Sequence, residues 1–351
     1  MNKKELLEKY YEIAIIEENN KCVAICNNKE NFDYEFFYVD NDFYSKVDSR
    51  TEKKLKKIYK FDDSPITPIK ISNKFGDQKQ SIKNKILQTA TIITKYTADL
   101  PIDLQTKIAD RITSLTFITD KEYESKHGKL EDSFIAAYHC KEHIIFSKEE
   151  YILSNRVLEH EMLHASSRNS YATSTGFQHI DIITKKILGR GLTESATDYF
   201  VYKISNRLPI DNMVQIFLDC FSGLVANCDA LKIKKFYFDA DYYGLLRYLA
   251  DFYHTDLQEL INISLTFDAL YNTITNELSE QKHKQILSET LYKHIASLHL
   301  NKLKKEKQSL EDYRVKSSIL NKPENIKIRR AIDQFVDKQK FNLSVPEVIL
   351  I

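Results

Sequence analysis

Glycine and proline are scarce in this chain, with seven and six of them among 351 residues. Tight turns with a positive φ favour glycine, so this shortage argues against an all-β sandwich or barrel built from many hairpins. A hydrophobic fraction of 42% is enough for the core of one large domain or of two to three small ones. We therefore expect a folded α+β protein in which helix predominates.

Charge and cysteine content limit the expected partners and compartment. The 51 Lys and Arg residues balance 50 Asp and Glu residues, so a net charge of +1 gives no long-range field for nucleic acid or an acidic membrane. No apolar run approaches the ~20 residues that span a bilayer, and charged residues interrupt the N-terminus from the start. Five cysteines without zinc-like or disulfide-like spacing fit a reducing compartment. These features predict a cytoplasmic protein without a nucleic-acid or membrane partner.

Composition shifts along the chain predict three parts. Residues 1–78 are expected to form a small α+β unit, because a helical pattern is followed by two strand-like runs. A polar segment that contains Pro65 and Pro68 ends this unit. Residues 79–205 are expected to form an α+β core domain. Residues 206–351 are expected to form a helical C-terminal domain, because only short polar breaks interrupt their helical periodicity.

Hydrophobic periodicity predicts particular helices and strands within these parts. Ser147 and Glu150 have the spacing of a capping box, which predicts the start of a helix that runs to about Ala165. A further helix is expected to begin after Gly191 and to continue past Lys203. The other predicted elements are helices over residues 3–18, 81–98 and 102–112 and strands over residues 22–26, 34–39, 115–119, 133–139 and 143–146.

The strongest motif is H-E-x-x-H, formed by His160, Glu161 and His164 on the helix predicted over 147–165. At a spacing of four residues, two imidazoles lie one above the other on the same helix face and can bind one Zn²⁺. Glu161 lies beside them and is the candidate general base. The alternative is a helix surface that carries two histidines by chance, and a third ligand would decide between these interpretations.

Glu194 and Asp198 supply the missing carboxylates at the start of the next predicted helix. They are four residues apart and therefore share a helix face. We interpret Glu194 as the third metal ligand and Asp198 as the hydrogen-bond acceptor for a ligating imidazole, His160 in the first place. The resulting His₂Glu set would leave a fourth zinc position open for water. A first-turn carboxylate that only stabilises the helix dipole is the alternative for Glu194.

The two motifs, at residues 160–164 and 194–198, resemble those of the gluzincin metallopeptidases, of which thermolysin is the best-known member. The stretches around them also look like uncharacterised H-E-x-x-H proteins of low-GC Gram-positive bacteria. The resemblance covers about residues 80–205 and implies a zincin-like catalytic core, in which a small mixed sheet accompanies the active-site helix. It implies zinc as the cofactor and a peptide or protein as the substrate. Thr193 departs from the pattern, because asparagine is common there in these families.

The resemblance also implies roles for residues outside the motifs. In gluzincins an edge strand pairs with the substrate backbone, and the strand predicted over 133–139 occupies that place. Ala136 and Tyr138 are the substrate-binding candidates on it. A second donor usually stabilises the tetrahedral oxyanion, and we choose Tyr243 for this role. Three other residues remain alternatives to it: Tyr242, Arg247 and His254.

Several other patterns receive structural interpretations. Side chains alternate in direction along paired strands, so the segment His139-Cys140-Lys141-Glu142-His143 is not expected to bind a metal. Cys22 and Cys26 are expected on one strand face as small buried hydrophobes. Gly189-Arg190-Gly191 lacks a preceding strand and a third glycine, which favours a helix stop and hinge over a dinucleotide loop. Asp239-Ala240-Asp241 is expected to cap a helix at 242–253.

The expected function is therefore zinc-dependent hydrolysis of a peptide bond, with Glu161 as the base. Two alternatives stay open: a non-catalytic regulatory or binding protein that retains a zincin scaffold, and a helical interaction module without metal. The presence of Glu161 argues against the first of these. Tight binding of zinc would argue against the second.

Overall fold

The computed structural model describes residues 1–2, 5, 9–18, 21–28, 34–40, 43–58, 69–131, 134–169, 172–180, 186–205, 212–275 and 281–306. The described chain is mostly helical and contains three small sheets, so the predicted predominance of helix is confirmed. None of its helices combines the length and the hydrophobicity that crossing a membrane requires.

The chain divides into two compact units. The first comprises Met1–Leu188 together with the short segment Tyr237–Ala240, and the second comprises Gly189–Phe236 and Asp241–Ile351 as far as these are described. The three-part division at residues 78 and 205 stays a prediction.

The first unit begins with an antiparallel four-stranded sheet in the order β1-β2-β3-β4. Alternate residues of β2 face opposite sides, so Val23 and Ile25 pack with Leu55 of the following helix, whereas Ala24 and Cys26 pack on the other face. Both predicted strands in this region are confirmed. The elements are β1 (Tyr10–Glu18), β2 (Lys21–Asn28), β3 (Tyr34–Asp40), β4 (Phe43–Lys46) and helix α1 (Ser49–Ile58).

The helix predicted over residues 3–18 is wrong for its second half, which forms strand β1. Ile13 pairs with Cys26 and Ile16 with Val23 in an antiparallel ladder. Branched isoleucines fit such a ladder better than a helix, and the pairing with β2 overrides a weak helical periodicity. Residues 3–4 and 6–8 of the prediction lie outside the described residues.

A second sheet of this unit has the strand order β5-β6-β8-β7. Strands β5, β6 and β8 run parallel, and β7 lies antiparallel at the edge. Apart from the start of α5, the predicted helices and strands of this region are confirmed within three residues, and residue 133 of the strand predicted over 133–139 lies outside the described residues. The elements are β5 (Lys70–Ile71), a 3-10 helix (Asn73–Gln78), α2 (Lys79–Tyr96), α3 (Ile102–Thr113), β6 (Thr116–Thr119), α4 (Asp120–His127), β7 (Ala136–His139), β8 (Ile144–Ser147), α5 (Asn155–Ser166), β9 (His179–Ile180) and β10 (Ile187–Leu188).

Helix α5 starts eight residues later than the capping-box pattern at Ser147 predicted. Ser147 is instead the last residue of β8, where it pairs with Ala136. Its hydroxyl donates to the carbonyl oxygens of Ile135 and Lys148, so it does not cap a helix. Two turns follow, and Ser154 precedes the first helical residue.

The described part of the second unit is helical. Asp241 caps α9 through a hydrogen bond that the Gly244 N–H donates to its Oδ1 (2.8 Å), as predicted. The polar break predicted at residues 206–209 lies outside the described residues. The helices are α6 (Arg190–Ser205), α7 (Asn212–Leu224), α8 (Ala230–Phe238), which ends in the first unit, α9 (Tyr242–Tyr253), α10 (Leu257–Thr275) and α11 (Gln281–Lys305).

A buried neutral histidine ties the β7–β8 turn to α3. His143 has a φ of 58° and lies 2.6 Å from the carbonyl oxygen of Arg111 through Nε2. A carbonyl can only accept, so Nε2 carries the proton, and Nδ1 accepts from the Tyr138 hydroxyl at 2.6 Å. Burial, assisted by the charges of Arg168 and Arg111, lowers the pKa of His143 to about 3. The folded chain therefore holds this ring uncharged.

We expect this histidine to make the protein sensitive to acid. Its folded pKa lies below the ordinary 6.5, so the unfolded chain binds the proton first and stability falls as the pH decreases from 6.5 towards 3. Between neutral pH and about pH 5, His143 should remove about 2 kcal/mol from the free energy of unfolding. In His143→Asn, which tolerates the positive φ, this share of the loss should be absent.

Urea unfolding at about pH 7.5 and about pH 5 measures the effect as the difference between wild type and variant. His254→Asn is the matched control, because His254 is an exposed histidine that also has a positive φ. An equal stability gap between wild type and His143→Asn at both pH values would contradict the assignment.

Candidate metal centre

Helix α5 is an interior helix that carries charged and polar groups. Between residues 158 and 167, every residue except the half-buried His160 is buried. The helix packs against α2, α3 and strand β7, and Met162 and Leu163 are fully inside the core. Polar side chains are placed in such a position only if they are paired or serve a function, and Glu161 and His164 are among them.

The two histidines of α5 approach each other through their Nε2 nitrogens. His160 Nε2 and His164 Nε2 lie 3.0 Å apart, and the ring centroids are separated by 4.7 Å. The spacing of four residues predicted this proximity on one helix face. The pair therefore directs two nitrogen donors towards one point.

Glu194 completes a group of three donors. One ligand atom each of His160, His164 and Glu194 lies within 4.8 Å of the other two. Throughout the described ranges, no other group of three or more His, Cys, Asp or Glu residues has its donor atoms this close together. The structure thus brings together the three residues that the sequence predicted as ligands, and it gives no such group at residues 139–143.

This donor set fits a divalent metal ion. In a tetrahedral zinc site with bonds of 2.0–2.1 Å, neighbouring ligand atoms lie about 3.3 Å apart, close to the separation of the two imidazole nitrogens. Two imidazoles and one carboxylate suit first-row metal ions such as zinc better than calcium or magnesium, which prefer oxygen ligands. Three protein ligands also leave one position of a tetrahedral site free.

The Nδ1 nitrogen of His164 faces Thr175, a residue that the sequence analysis did not select. Thr175 Oγ1 lies 3.4 Å from His164 Nδ1, and both residues are buried. The chain returns to the helix here because Arg168 forms a β-bridge with Thr175 and Gly176 N–H donates to Ser167 Oγ at 3.0 Å. When Nδ1 donates to the Thr175 hydroxyl, this contact selects the ring tautomer whose Nε2 lone pair can bind a metal. No spacing rule in the sequence singles out Thr175.

The end of α5 is held by a guanidinium group. Arg111 of α3 donates through Nη1 to the carbonyl oxygens of Ser166 (3.0 Å) and Phe238 (2.8 Å). The last carbonyls of a helix have no partner within the helix, and a cation there also favours the helix dipole. Arg111 therefore fixes the turn of α5 that carries His164.

Glu161 and Asp198 are near neighbours of the donor group along their own helices. Glu161 is buried and directly follows His160, and Asp198 is buried one turn after Glu194 on α6. Each of the two carboxylates has interaction partners in the folded chain. The general-base role of Glu161 and the hydrogen bond from a ligating imidazole to Asp198 stay predictions.

The oxyanion candidates lie on α9 and just after it. Tyr243 is half-buried, with its ring 5.1 Å from that of Tyr242. The Tyr242 hydroxyl donates to Ser264 Oγ at 3.0 Å, so this hydroxyl forms a buried hydrogen bond between α9 and α10. His254 Nε2 lies 3.2 Å from a carboxylate oxygen of Glu306. The choice of Tyr243 stays a prediction.

The substrate-binding candidates Ala136 and Tyr138 lie on β7, which is an edge strand of its sheet. They pair with Ser147 and Ile145 of β8, respectively. The Tyr138 hydroxyl donates to His143, so its side chain supports the β7–β8 turn. A role of the β7 backbone in substrate binding stays a prediction.

A strand precedes the glycine pair Gly189 and Gly191, contrary to the expectation from the sequence. A two-residue strand, β10, directly precedes Gly189, so the expectation that no strand comes before the pair is wrong. Gly189 has a φ of 71°, which suits glycine, and Gly191 already belongs to α6. With helix α6 beginning at Arg190 and no third glycine, the segment still does not form a dinucleotide loop.

We expect Thr175→Val to weaken metal binding while it preserves the shape of the side chain. Loss of the hydroxyl removes the partner of His164 Nδ1, and the dissociation constant for Zn²⁺ should rise about tenfold. Competition titration with a chelating dye measures this change. Thr173→Val is the matched control, because Thr173 Oγ1 accepts from Asn169 Nδ2 (2.9 Å) in the same loop. Equal zinc affinity of the two variants would contradict the role of Thr175.

Comparisons of the chain with models of protein families, with curated proteins and with solved structures found no match.

Proposed function

We propose that this protein is a zinc-dependent metallopeptidase that hydrolyses a peptide bond. The observation that carries the proposal is the convergence of His160, His164 and Glu194, whose donor atoms lie within 4.8 Å of one another. The two histidines belong to an H-E-x-x-H sequence on a buried helix, and the glutamate follows on a separate helix. This arrangement is the donor set of a catalytic His₂Glu zinc site.

A catalytic site explains the residues better than a structural one. Structural zinc sites usually close with a fourth protein ligand, whereas the described residues gather three donors here. Glu161, which is buried and directly follows His160, would take no part in a structural site, whereas a catalytic site uses such a carboxylate as the general base.

In the proposed reaction, the metal ion and the side chains would have separate roles. A zinc ion held by these residues would polarise the scissile carbonyl and lower the pKa of a water molecule to about 7. Glu161 would accept the proton of the attacking water and deliver it to the leaving amine. Thr175 would hold the His164 ring in position, and Asp198 would do the same for His160. Tyr243 is our candidate donor for the oxyanion.

The proposed substrate is an extended peptide. Strand β7 is the edge of its sheet, so one side of its backbone is available for pairing with another strand. The same strand packs against α5, the helix that carries His160 and His164. A peptide added at Ala136–His139 would therefore lie beside the helix of the metal ligands. This arrangement supports the zincin-like core that we propose for residues 79–205.

Metal analysis tests the centre itself. We expect purified protein to contain about one zinc ion per chain, and His160→Ala and His164→Ala to lose it, because no neighbour on α5 can replace the imidazole. His283→Ala, at an exposed histidine of α11, is the matched control and should retain zinc. Full zinc occupancy in both α5 variants, measured by mass spectrometry of the metal, would end the assignment.

Turnover tests the role of Glu161. Glu161→Gln should bind zinc as the wild type does but should lose at least about 100-fold in cleavage rate, because an amide cannot accept the proton of water. A peptide library digested with each protein and analysed by mass spectrometry supplies the substrate and the readout. Glu150→Gln, at an exposed glutamate before the helix, is the control.

The peptidase proposal fails if Glu161→Gln cleaves the library at the wild-type rate. It also fails if zinc-loaded wild type cleaves nothing in the library or in denatured proteins. The second result together with retained zinc would favour a binding protein that keeps the scaffold.

A further inference from the structure

A carboxylate from another helix caps the helix that carries Glu194. Asp268 lies in the middle of α10 and accepts two backbone hydrogen bonds from the start of α6. The Gly189 N–H donates to Oδ2 at 2.8 Å and the Gly191 N–H to Oδ1 at 2.7 Å. The first N–H groups of a helix have no partner within the helix, and here Asp268 supplies one.

The sequence at the start of α6 makes this outside cap necessary. Helices usually begin after a Ser, Thr, Asp or Asn, whose side-chain oxygen accepts from the first turn. Gly189, just before α6, has no side chain to do so. Thr193 Oγ1 donates to the Gly189 carbonyl oxygen (2.8 Å) and therefore satisfies an acceptor, not the free N–H groups.

Close packing adds to the hydrogen bonds. Gly191 lies so near α10 that a Cβ atom there would overlap the carbonyl group of Phe267. The Arg190 guanidinium lies over the Tyr271 ring, 4.9 Å from its centroid. Residues 267–271 of α10, a little more than one helical turn, therefore hold the first turn of α6 through a backbone contact, a carboxylate and a cation–π contact.

The capping carboxylate is held at an electrostatic cost. Burial raises the pKa of Asp268, and the backbone N–H groups of residues 189–191 and the Arg190 charge act in the opposite direction. A neutral side chain could occupy the same volume without this penalty. The charge instead favours the positive end of the α6 dipole, which fixes the helix end more firmly than packing alone.

We propose that Asp268 is a positioning residue of the metal centre, which sets the place of Glu194 by holding the first turn of α6. Glu194 follows Gly191 by three residues, so a shift of this turn is passed directly to its carboxylate. Metal ligands must keep their distances within about 0.2 Å, so a small displacement weakens binding. The inference rests on the proposed zinc centre.

A double-mutant cycle separates positioning from a general effect on stability. Asp268→Asn keeps the size of the side chain but loses its charge and turns an amide group towards one backbone N–H. We expect the dissociation constant for Zn²⁺ to rise about tenfold in an otherwise folded protein. In a Glu194→Gln background, Asp268→Asn should change the zinc affinity no further, because the ligand that it positions is already altered.

Asp256→Asn is the matched control, at the residue just before the same helix. The Glu259 N–H donates to Asp256 Oδ1 at 2.7 Å, so the substitution alters another carboxylate cap, 12 residues before Asp268 in the chain. Zinc affinity should remain at the wild-type value. The visible spectrum of the Co²⁺-loaded protein provides a second readout, and only Asp268→Asn should shift its absorption bands, because they report ligand geometry.

Thermal unfolding of the metal-free proteins shows whether each variant is folded. If Asp268→Asn is unfolded, Asp268→Glu replaces it in the double-mutant cycle, because glutamate keeps the charge but displaces the carboxylate oxygens. The inference is overturned if the Asp268 variant binds zinc as tightly as wild type, or if it weakens binding equally with and without Glu194. If wild type binds no zinc, or Glu194→Gln leaves its affinity unchanged, the proposed zinc centre fails and the inference fails with it.

Discussion

Two imidazole nitrogens 3.0 Å apart, on a helix that is otherwise packed inside the core, are the constraint on which the rest of this structure depends. A helix buried on nearly every side needs apolar residues, yet α5 places His160, Glu161 and His164 within five residues. Each of them requires a partner, and the surrounding elements supply polar groups for this purpose. The local sequence of α5 is thus a compromise between core packing and chemistry.

Charged side chains from other elements also hold α5 and α6, the two helices of the proposed ligands. Arg111 binds the carbonyl end of α5, and Asp268 binds the N–H end of α6. A cation lies at a helix C-terminus and an anion at a helix N-terminus, so each charge matches the dipole end that it contacts. Thr175 adds a hydroxyl beside the Nδ1 nitrogen of His164. Helices fixed at their ends would need little reorganisation to hold the metal ion that we propose.

The sequence predicts the parts of this arrangement that depend on local periodicity. Two histidines at a spacing of four residues must share a helix face, and the helix around Glu194 follows from its apolar pattern. Contacts between residues that are distant in the sequence produce no such local pattern. Asp268 lies 77 residues from Gly191, and nothing near either residue indicates the contact. The helix prediction over residues 3–18 is wrong at strand β1 for the same reason, because pairing with β2 decides the conformation of these residues.

The segment Tyr237–Ala240 has a consequence for how the chain is made. These four residues belong to the first unit, although the chain enters the second unit at Gly189. The Tyr237 ring packs edge-on against Phe177 at 5.6 Å, and the Phe238 carbonyl accepts from Arg111. During synthesis from the N-terminus, the first unit therefore lacks part of its core until residue 240 has emerged from the ribosome. A fragment cut at residue 188 would expose Phe177 and would leave Arg111 without one of its two carbonyl partners.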